Sequence, residues 1–336
     1  MEAELVFVNY AIPADYEELE RLGIDVKGKI VIAKYAGSWR GIKPKLAAEK
    51  GAIGCIIYSD PKDDGYYSGD TYPDGAFKNE TGVQRGSVMD TPFIQHAGIA
   101  ALNLGYFGEN EGGEYHTIYD TYPQYKRFKD PAFEYGIALA KTAGSIVLRL
   151  TNSDVLTFEF QQWNSTVSGY MAELVKLTND MRTTVEKHNV LVEKNVFELA
   201  ADPTKTFVKP VKKELIPYLD FTPLQNKLVA LNKVITDFAA QDFSQLDQAK
   251  SDKLNEKLLL TERALMNETG LPRRPWYKHQ IYAPGFYTGY GVKTLPYVRE
   301  AIEQENWEEA TEQIKVLTNT LSGFKNHIKE LLSIVE

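Results

Sequence analysis

The most metal-like grouping in the chain surrounds His116, with Glu109, Glu111, Glu114 and Asp120 close by in sequence. A catalytic zinc needs about three protein ligands and an open position for water, and imidazole is the commonest of those ligands. Only one imidazole stands among these carboxylates, and neither His-x-Glu nor His-Glu-x-x-His spacing occurs in the chain. A lone imidazole beside solvated carboxylates binds zinc weakly, and the bland reading of His116 is a loop histidine. His96, His188, His279 and His327 are scattered, and His279 reads as a hydrogen-bonding residue that fixes its own loop. Cys55 sits in the apolar run Ala52-Ile53-Gly54-Cys55-Ile56-Ile57, which marks a buried, inert thiol rather than a nucleophile. There is no Gly-x-Ser-x-Gly elbow for a serine hydrolase, and Gly105-Tyr106-Phe107-Gly108 is too short for a dinucleotide fingerprint.

The elements that must position such residues follow from composition and periodicity. The chain has 336 residues and a formal net charge of −8, with 43% hydrophobic and 25% charged residues. These are the proportions of a globular protein of about two domains. The acidic balance argues against broad nucleic-acid binding, which needs clustered Lys and Arg. A single cysteine excludes an intrachain disulfide framework and Cys-rich zinc modules. No run reaches the roughly 18 apolar residues of a membrane span, and Met1-Glu2-Ala3-Glu4 has no basic leader region. The chain reads as soluble as written, its compartment open; a secreted protein or the outer part of an anchored precursor is compatible. Sequons at Asn79, Asn164 and Asn267 occur at about the frequency chance allows and decide nothing about compartment.

Leu5–Tyr10, Gly28–Tyr35 and Ile53–Tyr58 read as strands, with helices at Tyr16–Leu22 (capped by Asp15) and Ile42–Lys50. Strand, helix, strand at this spacing predicts an α/β unit with a parallel pair. Asp60 to Gly86 reads as loop, Ile99–Tyr106 as strand, and Asp130–Leu150 as a long helix. From Trp163 the pattern is helical, with stripes at Val167/Tyr170/Leu174/Leu177/Met181, Leu224/Leu228/Leu231/Ile235/Phe238 and Leu254/Leu258/Leu265. Ile314, Leu317, Leu321, Phe324, Ile328, Leu331 and Val335 alternate steps of three and four, a seam that packs in a bundle or across a dimer.

These segments, in this order, resemble the glutamate carboxypeptidase and transferrin receptor family of zinc peptidases. Leu5-Val6-Phe7-Val8-Asn9-Tyr10, Gly28-Lys29-Ile30-Val31-Ile32-Ala33, Arg40-Gly41, Tyr58-Ser59-Asp60-Pro61, Tyr72-Pro73-Asp74-Gly75 and Val83-Gln84-Arg85-Gly86 resemble its protease-associated domain. Tyr115-His116-Thr117-Ile118-Tyr119-Asp120-Thr121-Tyr122 and Asp130-Pro131-Ala132-Phe133 resemble the end of its peptidase domain. Leu271-Pro272-Arg273-Arg274-Pro275 and Tyr282-Ala283-Pro284 resemble its dimerisation domain. The implied fold is an α/β protease-associated-like part joined to an all-α C-terminal helical bundle. The implied divisions are 1–88, a protease-associated remnant; 89–160, a peptidase-domain remnant; and 161–336, the helical dimerisation domain.

The resemblance also shows a gap: landmarks that the family separates by most of the peptidase sheet are nearly adjacent here, with a junction between Ser87 and Thr91. The family binds two zinc ions through a His, a bridging Asp, a Glu, another Asp and a last His, with a Glu as general base. Only the last His has a counterpart, His116, expected to be an unoccupied metal position; no catalytic residue is assigned, and zinc belongs to the intact family. Arg40 matches the arginine that clamps a substrate carboxylate through its forked guanidinium, and Tyr115 and Tyr290 match the tyrosines bordering that pocket. Gly289 stands where the mammalian carboxypeptidase has lysine, a departure that puts selectivity for glutamate in question. The resemblance implies a catalytically inactive, homodimerising scaffold assembled through the C-terminal helices. A residual zinc-dependent carboxypeptidase or aminopeptidase taking peptides with an acidic C-terminus, or a receptor-like binding module, are the alternatives.

Overall fold

Val6, Val31 and Cys55 form one row across three strands, and Phe7, Ile32 and Ile56 form the next row on the opposite face. The strands are β1 (Leu5–Phe7), β2 (Ile30–Lys34) and β3 (Gly54–Tyr58), parallel and in the order β1-β2-β3. In this computed structural model the described residues are 3–58, 60, 69–77, 93–101, 104–106, 114–115, 117–204 and 206–336. Helices α1 (Pro13–Arg21) and α2 (Ile42–Glu49) supply Tyr16, Leu46 and Ala47 to the core that covers Val6, Val31 and Ala33. The other face leaves Leu5, Phe7 and Ile56 about half exposed. Parallel strands are ordinarily covered on both faces, so this sheet is only half dressed.

Two local readings are corrected. Helix α1 starts at Pro13 rather than Tyr16, and its N-cap is Ile12. Proline suits a first helical turn because its missing N–H would have no partner there. Asp15 still caps, but from inside the helix, accepting the amides of Tyr10 and Ile12. The strand expected at Ile99–Tyr106 is absent from its described residues: 99–101 and 104–106 are irregular, with Ile99, Leu104 and Tyr106 exposed. Among the described residues this run pairs with neither edge of the sheet, β1 or β3, and an apolar run outside a ladder is not a strand. The helix expected at 130–150 forms as α3 (Glu134–Thr151), and no residue along it is buried.

The C-terminal part closes on itself. It comprises α4 (Phe160–Glu193), α5 (Thr222–Ala239), α6 (Gln248–Leu258), α7 (Pro296–Glu303) and α8 (Trp307–Val335). Its core takes Leu174 from α4, Leu231 and Ile235 from α5, Leu254 and Leu258 from α6, and Ile302 from α7. The α8 seam is spent inside the chain: Ile314, Leu317, Leu321, Phe324, Ile328 and Leu331 are all buried. A two-stranded antiparallel hairpin, β4 (Tyr282–Gly285) and β5 (Gly289–Thr294), is added to the helices. Among the described residues no helix is long and apolar enough to cross a membrane.

Leu321 sits fully buried at mid-α8. Leu321→Ala is expected to cost about 2–5 kcal/mol in denaturant unfolding, through lost transfer energy and the cavity left behind. Val229→Ala, on the exposed side of α5, is expected to stay within about 0.5 kcal/mol.

Candidate functional site

The loop between β2 and α2 carries Arg40, and a buried lysine sets its path. The Lys43 ammonium donates to the carbonyl oxygens of Tyr10 at 2.6 Å and Ala36 at 2.7 Å, and its side chain is fully buried. Burial holds the Lys43 pKa down at about 8, against an ordinary 10.5, with the Asp15 carboxylate opposing the shift. Gly37 turns with φ +84°, where a Cβ would lie 2.7 Å from the Tyr10 side chain, so this turn requires glycine. Beyond the turn, the Arg40 guanidinium carbon lies 5.7 Å from the centre of the Tyr35 ring.

The β4–β5 hairpin reaches this loop. The Trp39 amide donates to the Thr288 carbonyl at 3.4 Å, the Lys45 ammonium donates to the Phe286 carbonyl at 3.0 Å, and the same ammonium lies over the Phe286 ring. Tyr287 packs against the core of the N-terminal sheet. Behind the turn, the Phe286 amide donates to Glu300 Oε1 at 2.6 Å, while Arg274 donates to Glu300 Oε2 at 2.5 Å and to the Pro284 carbonyl at 2.7 Å. Burial pushes the Glu300 carboxyl up, and the Arg274 guanidinium pulls it back. Burial also lowers the Lys45 ammonium, against the pull of the Glu49 carboxylate.

The loop before the hairpin is fixed by His279. The Ile281 amide donates to His279 Nδ1 at 3.3 Å, so Nε2 carries the proton and donates to Glu262 Oε2 at 2.9 Å. His279 therefore does the loop-fixing work read from its surroundings in the sequence. Residues 93–97 join the same loop: His96 Nδ1 donates to the Trp276 carbonyl at 2.7 Å and the two rings stack, 4.4 Å apart.

The candidate residues thus separate. The Arg40 loop and the hairpin that carries Tyr290 in β5 meet directly, through Trp39 and Thr288; the Tyr290 side chain lies outside the described residues. Tyr115 is exposed, in a short turn where the Thr117 amide donates to the Glu114 carbonyl and Glu114 pairs with Lys129. His116, with Glu109 and Glu111, falls outside the described residues. Among the described residues, no three of His, Cys, Asp or Glu lie close enough to share a metal ion, so those side chains do not fit a zinc centre. Cys55 is half-buried and burial pushes its thiol pKa up, the opposite of an activated nucleophile. Lys43 and Lys45, which build the site's floor, were not singled out from sequence. Their signal was there: Lys43 precedes the buried pair Leu46 and Ala47 by three and four residues, so it shares their face of α2.

With this geometry in place, the chain can be compared with known proteins. Residues 1–102 match the model of the PA domain, and residues 219–329 match the transferrin receptor-like dimerisation domain. The chain carries both domain signatures and resembles the glutamate carboxypeptidase and transferrin receptor-like family. It is similar to the probable glutamate carboxypeptidase LAMP1 of Arabidopsis thaliana, 29% identical over 229 residues, covering 66% of this chain and 28% of the relative. A probable glutamate carboxypeptidase of Arthroderma benhamiae is 49% identical over 91 residues, covering 26% of this chain and 12% of the relative. The aminopeptidase NAALADL1 of Rattus norvegicus is 25% identical over 245 residues, covering 69% and 29% respectively. The matched part therefore spans less than a third of each of these relatives. Within the matched dimerisation-domain range, the loop Arg273-Arg274-Pro275 is the one whose second arginine holds Glu300.

Two measurements probe this seam. Removing the Phe286 ring takes away the surface under Lys45, and Phe286→Ala is expected to speed amide exchange at residues 36–42 and 286–292 by roughly tenfold, the scale of about 1–2 kcal/mol for a desolvated cation–π contact. Lys43 gives a pH signature. Between about pH 8 and 10.5 the unfolded chain holds a proton that folded Lys43 has released. Stability from this group therefore rises with pH across that window. Cys55 and Tyr16, both pushed up by burial, act in the opposite direction, so the readout is a difference. The wild-type stability curve should climb relative to that of Lys43→Met between pH 8 and 10.5; parallel curves would contradict the assignment.

Proposed function

We propose that this chain is a glutamate carboxypeptidase-like protein without most of the dinuclear zinc core, that it hydrolyses no peptide by itself, and that it serves as a homodimerising scaffold. The observation that carries the reading is the bundle. Residues 219–329 match a dimerisation domain, and the helices there bury a continuous core together with α4, through Phe160, Val167, Met171 and Leu174. A self-association surface built on such a bundle is preorganised, and twofold contact of identical subunits is the commonest closed arrangement.

The chemical side of the proposal rests on ligand count. A two-metal peptidase site needs several convergent ligands and a general base, and the family pattern finds a counterpart in this sequence only at His116. The half-exposed face of the sheet and the unburied helix α3 support the same reading, since both leave apolar side chains in solvent. One observation favours a retained binding role. The Arg40 loop and the Tyr290 hairpin still meet, and a guanidinium there suits the carboxylate of an acidic peptide C-terminus.

The test is zinc reconstitution followed by desalting, metal analysis by mass spectrometry and assay with peptides ending in glutamate. The expected result is less than one zinc per chain and no hydrolysis that a chelator abolishes. Two zinc ions per chain with chelator-sensitive hydrolysis would overturn the proposal.

A further inference from the structure

Away from the seam, the segment that enters the bundle forms one wall of a cavity of about 520 Å³. That is within the range of small-molecule sites. The walls are aromatic. Phe158 stacks on Phe160 with ring centres 5.7 Å apart, Phe160 meets Phe238 edge-on at 5.6 Å, and Phe238 meets Phe243 at 5.2 Å. Phe160 and Phe238 are buried core residues, so two of the four rings are fixed by the bundle itself.

The wall segment is pinned as well. Asn255 of α6 accepts from the Leu156 amide at 2.8 Å and donates to the Asp154 carbonyl at 2.8 Å, anchoring the segment two residues before Phe158. This double contact holds the wall in place before any ligand arrives, which lowers the ordering cost of binding.

The charge at the mouth has one sign. Asp154 and Glu159 line the cavity and are exposed at its rim, and no Lys, Arg or His is among the described residues that line it. The faces of phenylalanine rings carry a negative quadrupole that attracts cations. The two carboxylates therefore disfavour an anion, and a neutral apolar molecule gains burial alone.

We propose that this cavity binds a small organic cation with an apolar body, an aryl- or alkylammonium, with its body against Phe160, Phe238 and Phe243 and its ammonium toward Asp154 and Glu159. The site lies on the bundle and depends on neither the Arg40 loop nor zinc, so it stands or falls apart from the proposed scaffold role.

The experiment is calorimetric titration of the full chain at pH 7 with three probes of matched shape: phenethylammonium, phenylethanol and phenylpropanoate. The expected order is ammonium tightest and carboxylate weakest. Two exposed carboxylates should separate ammonium from alcohol by roughly threefold to tenfold, and the gap should narrow with added salt. Asp154→Asn with Glu159→Gln should bring the ammonium down to the alcohol without disturbing the rings. Ala239→Trp, at an exposed lining position, should abolish binding of all three while the helical circular dichroism is kept. Equal affinity for ammonium and alcohol, no saturable binding of the ammonium at millimolar concentration, or binding indifferent to both variants would each overturn the proposal.

Discussion

A carboxylate taken out of water must recover from the protein what the solvent supplied. Glu300 is buried, and it recovers this from the Arg274 guanidinium on one oxygen and the Phe286 amide on the other. Breaking such a pair from one side leaves an uncompensated buried charge, at a cost of about 3–5 kcal/mol. The geometry is therefore rigid, and its consequences run outward. The Phe286 amide fixes the hairpin turn, the turn presents a ring and a carbonyl to Lys45, and that contact seats the N-terminal sheet against the bundle. Arg40 is placed relative to the Tyr290 hairpin through this chain of contacts.

The two halves of the molecule meet the demand for burial differently. The bundle satisfies it internally: the stripes of α4, α5, α6 and α8 are consumed in a single core. The N-terminal half does not, because Leu5, Phe7 and Ile56 stay half exposed on one face of a parallel sheet and α3 buries nothing. Exposed apolar faces of this kind mark places where polypeptide packs. The bundle is thus the part of the molecule whose apolar stripes are covered, and the N-terminal sheet and α3 are the parts whose apolar side chains remain in solvent.

Legibility in the sequence followed the locality of the interactions. The α8 seam was readable residue by residue from Ile314 to Leu331, because helical periodicity and burial agree there. The parallel strands were readable because short apolar runs bounded by turn residues are themselves local signals. The run Ile99–Leu104 has the composition of a strand, but a strand exists only when another edge receives its ladder, and that is not a local property. The hairpin carries no alternating pattern, because Pro284 and a cluster of Gly and Tyr interrupt it; tertiary hydrogen bonds, given by Arg274 and accepted by Glu300, hold it. Lys43 escaped because a charged residue is read as solvated until its carbonyl partners, Tyr10 and Ala36, are brought to it by the fold.

The central claim is that the bundle makes this chain a dimer. Light scattering on the purified chain across micromolar concentrations measures it directly. The account predicts a mass of twice the 37.9 kDa chain, persisting in the presence of chelator. A monomer mass throughout that range would contradict it.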